Sequence, residues 1–159
     1  MKKTKSAAAI VFIICVLSVL ANAQKKDERA SAAQSPVEFQ SASNPNARTL
    51  SEFVRVGNIL YLSGKLGTDS TGKLAAGGIG PETKQTLENI KTVLEKNGSS
   101  MDHVIKCTVM LADIKEWADM NTVYVTFFKK ERLPARSAFG TSGLVNNARV
   151  EIECMALLK

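Results

Sequence analysis

Residues 104–128 read VIKCTVMLADIKEWADMNTVYVTFF, and the spacing of their apolar positions changes once, at Asp113. From Val104 to Leu111 the residues are almost continuously apolar and β-branched, too apolar for a helix with a wet face, and read as a buried strand. Beyond Asp113, the residues Trp117, Met120, Val123, Tyr124 and Phe127 recur at helical spacing to about Lys129. Asp113 with Glu116 three positions on supplies a capping-box-like start. The aromatic residues of this stripe read as core rather than as a cofactor box. A buried strand feeding directly into an amphipathic helix is the unit from which the rest of the domain is assembled.

Working upstream, Leu87, Ile90 and Leu94 mark one face of a helix expected from Glu82 to Asn97, with Pro81 suited to its first turn and Gly98 past its end. A loop punctuated by Gly64, Gly67, Gly72, Gly77, Gly78 and Gly80 precedes it. Before that, Phe53–Val56 and Ile59–Leu62 flank Gly57-Asn58, the signature of a two-residue hairpin. Downstream, strands are expected near Ser137–Thr141 and Ala148–Leu158, with Gly143 and Asn146-Asn147 forming the turn between them. The order β-β-α-β-α-β-β predicts an α+β fold, a mixed sheet with two helices on one face. The other face must also be covered, and a partner subunit is the simplest cover for a domain of this size.

The N-terminus has a different texture. Met1-Lys2-Lys3-Thr4-Lys5, an apolar run from Ala7 to Leu20, and Ala21-Asn22-Ala23 form the three parts of a secretory signal, with cleavage expected after Ala23. About 14 apolar residues fall short of the roughly 20 that a spanning helix needs, so no stable membrane anchor is expected after cleavage. Residues 1–23 thus read as signal peptide, 24–48 as a polar flexible leader rich in Ser, Ala, Gln and Asn, and 49–159 as the folded domain. The expected compartment is periplasmic or secreted. Loss of Lys2, Lys3 and Lys5 with the signal lowers the formal net charge of +6 to +3. That leaves a poor electrostatic footprint for nucleic acid, and none is expected as a partner. Cys15 departs with the signal. Cys107 and Cys154 remain in expected strands, either as two small buried side chains or as a disulfide.

No familiar catalytic signature is present. His103 is the single histidine and, beside Asp102, reads as a surface residue; one His and two separated Cys give no metal-ligand spacing. Arg136, in Leu133-Pro134-Ala135-Arg136-Ser137, stands at a strand entry. There its planar fork suits a carboxylate held bidentately, or a structural salt bridge. Glu151 and Glu153 share one face of the last strand, roughly 7 Å apart. They are either solvated or, under a covering subunit, partly desolvated so that one can act as a general base.

Taken together, Val56-Gly57-Asn58 leading to Leu62-Ser63-Gly64, Thr86-Leu87-Glu88-Asn89-Ile90, Val109-Met110-Leu111-Ala112-Asp113, Met120-Asn121-Thr122-Val123-Tyr124, PARS at 134–137 and VEIE at 150–153 resemble the RidA (YjgF) family of imine deaminases. The resemblance runs from Phe53 to Leu158. It implies a chorismate-mutase-like fold assembled as a homotrimer with clefts between subunits. It also implies hydrolysis of reactive enamines and imines, such as 2-aminoacrylate/2-iminopropanoate and 2-iminobutanoate, to 2-oxo acids and ammonia without a cofactor. Arg136 would then grip the substrate carboxylate, Glu151 would position or activate the attacking water, and Ser63 and Asn121 would line the cleft. Three positions depart from the family pattern: Lys65 where glutamine is usual, Ala138 where many members carry a reactive cysteine, and Leu50 where an aromatic often closes the cleft, unless Phe53 does so. The alternative is a non-catalytic trimer that binds small carboxylate metabolites. A ribonuclease activity fits poorly with the weak mature charge.

Overall fold

Strand and helix follow one another as the apolar spacing predicts, in a computed structural model that describes residues 36–41 and 49–159. The strands are β1 (Val37–Ser41), β2 (Ser51–Val56), β3 (Ile59–Leu62), β4 (Lys65–Leu66), β5 (Val104–Leu111), β6 (Ala135–Gly140) and β7 (Val150–Leu157), and the helices are α1 (Ile79–Lys96) and α2 (Trp117–Tyr124). They form one mixed sheet of order β1-β2-β3-β7-β5-β6, with β4 also on β7. The β5–β6 pair is parallel, joined through α2, and the other pairs are antiparallel. The α+β expectation with both helices on one face holds.

The core lies between that face and the helices. Leu87, Ile90 and Leu94 of α1 are fully buried against Leu60, Cys107, Val109, Leu111, Val150, Ile152 and Cys154. Alternation along β7, with Val150, Ile152, Cys154 and Ala156 inward, is the period-two pattern of a strand covered on one side. Each such aliphatic side chain contributes about 1.5–3 kcal/mol by leaving water.

Several boundaries differ from expectation. The hairpin turn is at Gly57-Asn58 as expected, with Gly57 taking φ 59°. α1 begins three residues earlier than Glu82, and the buried Glu82 carboxylate accepts from the Arg149 and Val150 amides at 2.7 and 3.3 Å, tying the helix to the start of β7. α2 ends at Tyr124 and passes into a 3-10 turn at Val125–Phe127 rather than continuing to Lys129. The capping box does not form. Asp113 accepts from the Lys115 amide at 2.9 Å, while the Glu116 carboxylate turns away to Arg149.

Strand β1 lies inside the 24–48 stretch read as a flexible leader, and pairs with β2 from Val37↔Val56 to Ser41↔Ser51. Its five side chains are all exposed, so main-chain hydrogen bonds hold it and no buried apolar pattern announces it. The remainder of that stretch apart from Pro36, and the signal-like residues 1–23, lie outside the described residues.

The sheet face away from the helices is bare among the described residues. Val37 and Phe39 of β1 are 53% and 72% exposed, and Tyr61 and Phe139 are 39% and 47% exposed. Val37, Phe39 and Tyr61 gather at the β1–β3 end of this face, while Phe139 stands on the opposite edge strand beyond Glu151 and Glu153; exposed apolar side chains gathered in this way mark an interaction site.

Candidate active site

Arg136 is the second residue of the edge strand β6, set there by Pro134, which cannot continue the preceding turn. In the parallel ladder it lies beside Cys107 of β5, so its side chain points to the helix-covered face. It runs beneath α2, where the guanidinium carbon is 4.4 Å from the Tyr124 ring centre and 5.5 Å from that of Trp117. Two aromatic faces hold the planar cation in place, an attraction worth about 0.5–2 kcal/mol each.

No carboxylate pairs with Arg136 among the described residues, so the structural salt bridge is not made there. Its Nη1 is buried with no hydrogen-bond partner, and the same holds for Asn121 Oδ1 and Tyr124 Oη. Trp117, Asn121 and Tyr124 follow one another at i, i+4 and i+7, a single stripe of α2. A buried guanidinium N–H without an acceptor costs about 1–3 kcal/mol, and an incoming anion recovers that cost. A carboxylate, planar and with two acceptors, matches the fork best.

Glu151 occupies the other face. It lies opposite Met110 of β5 and Leu66 of β4, turned away from the helices and half-buried. Its carboxylate rests on the α-carbon of Gly64: a Cβ there would stand 1.9 Å from Oε1. Gly64 lies in the break between β3 and β4, and only glycine lets the carboxylate settle there. Glu153 shares the face but is exposed.

Ser63 precedes Gly64, and its hydroxyl donates to the Ser51 carbonyl at 2.6 Å while its amide donates to Glu52 O at 3.1 Å. Its hydrogen is thus committed to closing the β2–β3 hairpin, leaving oxygen lone pairs to face a ligand. The four expected residues therefore fall into two groups, Arg136 with Asn121 under α2, and Glu151 with Ser63 on the bare face. One chain does not bring the two groups together.

The departures are accounted for locally. Lys65 pairs with Glu52 at 3.2 Å, with both side chains about four-fifths buried, so the ion pair is satisfied within the protein. Phe53 sits in the core opposite Leu62 and does not replace the exposed Leu50. Ala138 packs on the core edge. His103 bonds to Ser100 at 2.8 Å in the 3-10 turn before β5. Among the described residues no three His, Cys, Asp or Glu side chains gather at metal-ligand spacing.

Trp117, Tyr124 and Gly64 were not singled out as site residues by sequence reasoning. The signal for the first two was present: a polar-tipped aromatic in a core stripe needs a partner for its polar end.

The chain matches the family model described as Endoribonuclease L-PSP over residues 41–158. It is 40% identical over 108 residues to the 2-iminobutanoate/2-iminopropanoate deaminase of Mus musculus, covering 67% of this chain and 79% of that protein. Its fold superposes on yeast Mmf1 with a TM-score of 0.71 at 31% identity, covering 78% of this chain and all of that one. RidA from an Antarctic Psychrobacter superposes at 0.66 with 35% identity, covering 76% and 94% of the two chains.

Proposed function

Since the chain belongs to the Endoribonuclease L-PSP family, which includes RidA and YjgF proteins, we propose that it is an imine deaminase. Its substrates on this reading are small 2-imino acids of the 2-iminopropanoate and 2-iminobutanoate type and their enamine tautomers. It hydrolyses them to 2-oxo acids and ammonia. The observation that carries this is the buried Arg136 guanidinium, clamped by Tyr124 and Trp117, with Nη1 lacking a protein acceptor. The naming of curated relatives at about 40% identity supports the same substrate class.

Arg136 holds the carboxylate and so fixes the position of the imine carbon. Glu151 takes one proton from water as the water oxygen bonds to that carbon and passes it to the imine nitrogen, giving the carbinolamine; it then carries the carbinolamine hydroxyl proton to the same nitrogen as the C–N bond breaks, so that ammonia leaves and the 2-oxo acid remains. Because the imine is already electrophilic, placement of the reactants supplies most of the acceleration, and no protein nucleophile is required. Arg136 and Glu151 occupy opposite faces of one sheet, so the working cleft takes Arg136 and Asn121 from one chain and Glu151 and Ser63 from the next. A homotrimer closes three such clefts and covers the bare apolar face. Residues 1–23 direct export and are removed, placing the enzyme in the periplasm or outside the cell.

The test generates 2-iminopropanoate in situ with an amino-acid oxidase and traps it with semicarbazide. Wild-type protein is expected to suppress semicarbazone formation and release ammonia and pyruvate, and Arg136→Ala to do neither. A non-catalytic carboxylate binder would share Arg136, and Glu151→Gln separates the two readings: the deaminase loses turnover but keeps carboxylate binding. Absence of suppression by an assembled trimer with several imines overturns the deaminase.

A further inference from the structure

Cys154, Cys107 and Arg136 occupy one row across three neighbouring strands, β7, β5 and β6, all on the helix-covered side. Both thiols are free and buried. Directly opposed residues of an antiparallel pair have Cα atoms about 4.5–5.5 Å apart, within the roughly 4.4–6.8 Å span of natural disulfides. The two side chains also leave the sheet on the same side, the second geometric condition for a bridge. Across the ladder the Cys107 thiol stands beside that of Cys154 on one side and Arg136 on the other. Cys107 is therefore the shared neighbour of a second thiol and of the cation assigned above to the carboxylate.

We propose that Cys107 and Cys154 are a redox-active dithiol that a small hydroperoxide closes to a cross-strand disulfide, and that closure is felt at Arg136.

The thiols are not equivalent. The neighbouring Cys154 thiol holds Cys107 below the ordinary thiol range, helped by Tyr124 and by the positive charges of Arg136 and Lys106, against the opposing effect of burial. The proximity of Cys107, then burial, pushes Cys154 up. Cys107 is thus the attacking sulfur and Cys154 the resolving one. The Cys107 thiolate attacks one peroxide oxygen, the O–O bond breaks, and the other oxygen leaves as hydroxide or alkoxide and takes up a proton. The Cys154 sulfur then attacks the Cys107 sulfenic acid, the S–S bond forms, and water departs with the hydroxyl and the Cys154 proton. Two electrons pass from the dithiol to the peroxide. A disulfide sulfur cannot ionise, so closure removes the acidic thiol that Arg136 stabilises and leaves the charge of Arg136 available to an external carboxylate.

The experiment treats folded full-length protein with hydrogen peroxide, quenches it, and maps cysteine peptides by mass, which keeps Cys15 separate. A Cys107–Cys154 linked peptide, lighter than the two free peptides by two hydrogen atoms and released by a dithiol reductant, is expected. Both cysteines still open to alkylation after unfolding would overturn the dithiol. In parallel, binding of 2-oxobutanoate is measured before and after oxidation, with Cys154→Ala, which keeps a small apolar side chain, as control. Affinity is expected to rise about fivefold or more in wild type, the lower end of ordinary coupling between sites, and to stay constant in the variant. Unchanged or weaker binding overturns the link to Arg136. That arm rests on Arg136 as the carboxylate grip. If Arg136→Ala binds 2-oxobutanoate as well as reduced wild type does, the grip and the link fail together, whereas the linked peptide is read independently.

Discussion

The Glu151 carboxylate and the Gly64 backbone compete for the same space. Gly64→Ala places a methyl group where Oε1 now lies, and the far end of a glutamate side chain is free to swing away. The variant is expected to fold with a midpoint of denaturant unfolding close to wild type. Its imine turnover should nevertheless fall by about tenfold or more, as expected when the base leaves its position. Glu82 behaves in the opposite way. Removing its carboxylate in Glu82→Ala strands the Arg149 and Val150 amides, at a cost of about 1–3 kcal/mol, whereas Glu82→Gln keeps an acceptor and most of the stability. Urea unfolding of the two variants side by side checks this. At this scale the sequence was legible in part: Arg136 after Pro134 reads as either a carboxylate fork or a structural salt bridge, and the second is not made among the described residues. The sequence was silent on Gly64 and Tyr124, because a glycine in a loop and a tyrosine in a helical stripe each have commoner structural uses, and their role depends on which strands lie side by side.

Elements were legible in proportion to what they bury. α1 and β5 follow from unbroken apolar spacing, and Leu87 at the centre of that pattern is fully buried. Leu87→Ala is expected to lower stability by about 2–5 kcal/mol, measurable as a fall in the urea midpoint at unchanged slope. β1 and β4 did not show in the pattern for opposite physical reasons. All five side chains of β1 are exposed, so its letters Val37-Glu38-Phe39-Gln40-Ser41 carry no demand for a core. β4 is only two residues long, held by the Lys65↔Ile152 and Leu66↔Glu151 pairings rather than by any period. α2 was read too long because Phe127 continues the apolar spacing. The backbone there tightens into a 3-10 turn before Phe128 enters the core. The capping box failed for a tertiary reason, since Arg149, distant in sequence, outcompetes the local amide for Glu116.

For the molecule as a whole, the bare face and the divided site make the same demand. Sedimentation is expected near three times the monomer mass. Mixing supplies a sharper check. Arg136→Ala and Glu151→Gln, each inactive alone, are expected to regain roughly one quarter of wild-type turnover when unfolded together and reassembled in equal amounts. Half the chains donate an intact Arg136, half an intact Glu151, and a closed ring pairs them at random. No recovery from correctly sized trimers would mean that both residues serve from one chain. The need for a covering surface was readable from the order of elements. Which residues end up on opposite faces was not, since that follows from the register Cys107↔Arg136 against Met110↔Glu151. The two sides of one sheet never meet. Under this layout a solitary chain is inert toward its substrate however well it is folded. Specific activity then becomes a matter of population: it fades on dilution, returns on concentration, and first appears where newly made copies collect in sufficient number to find one another.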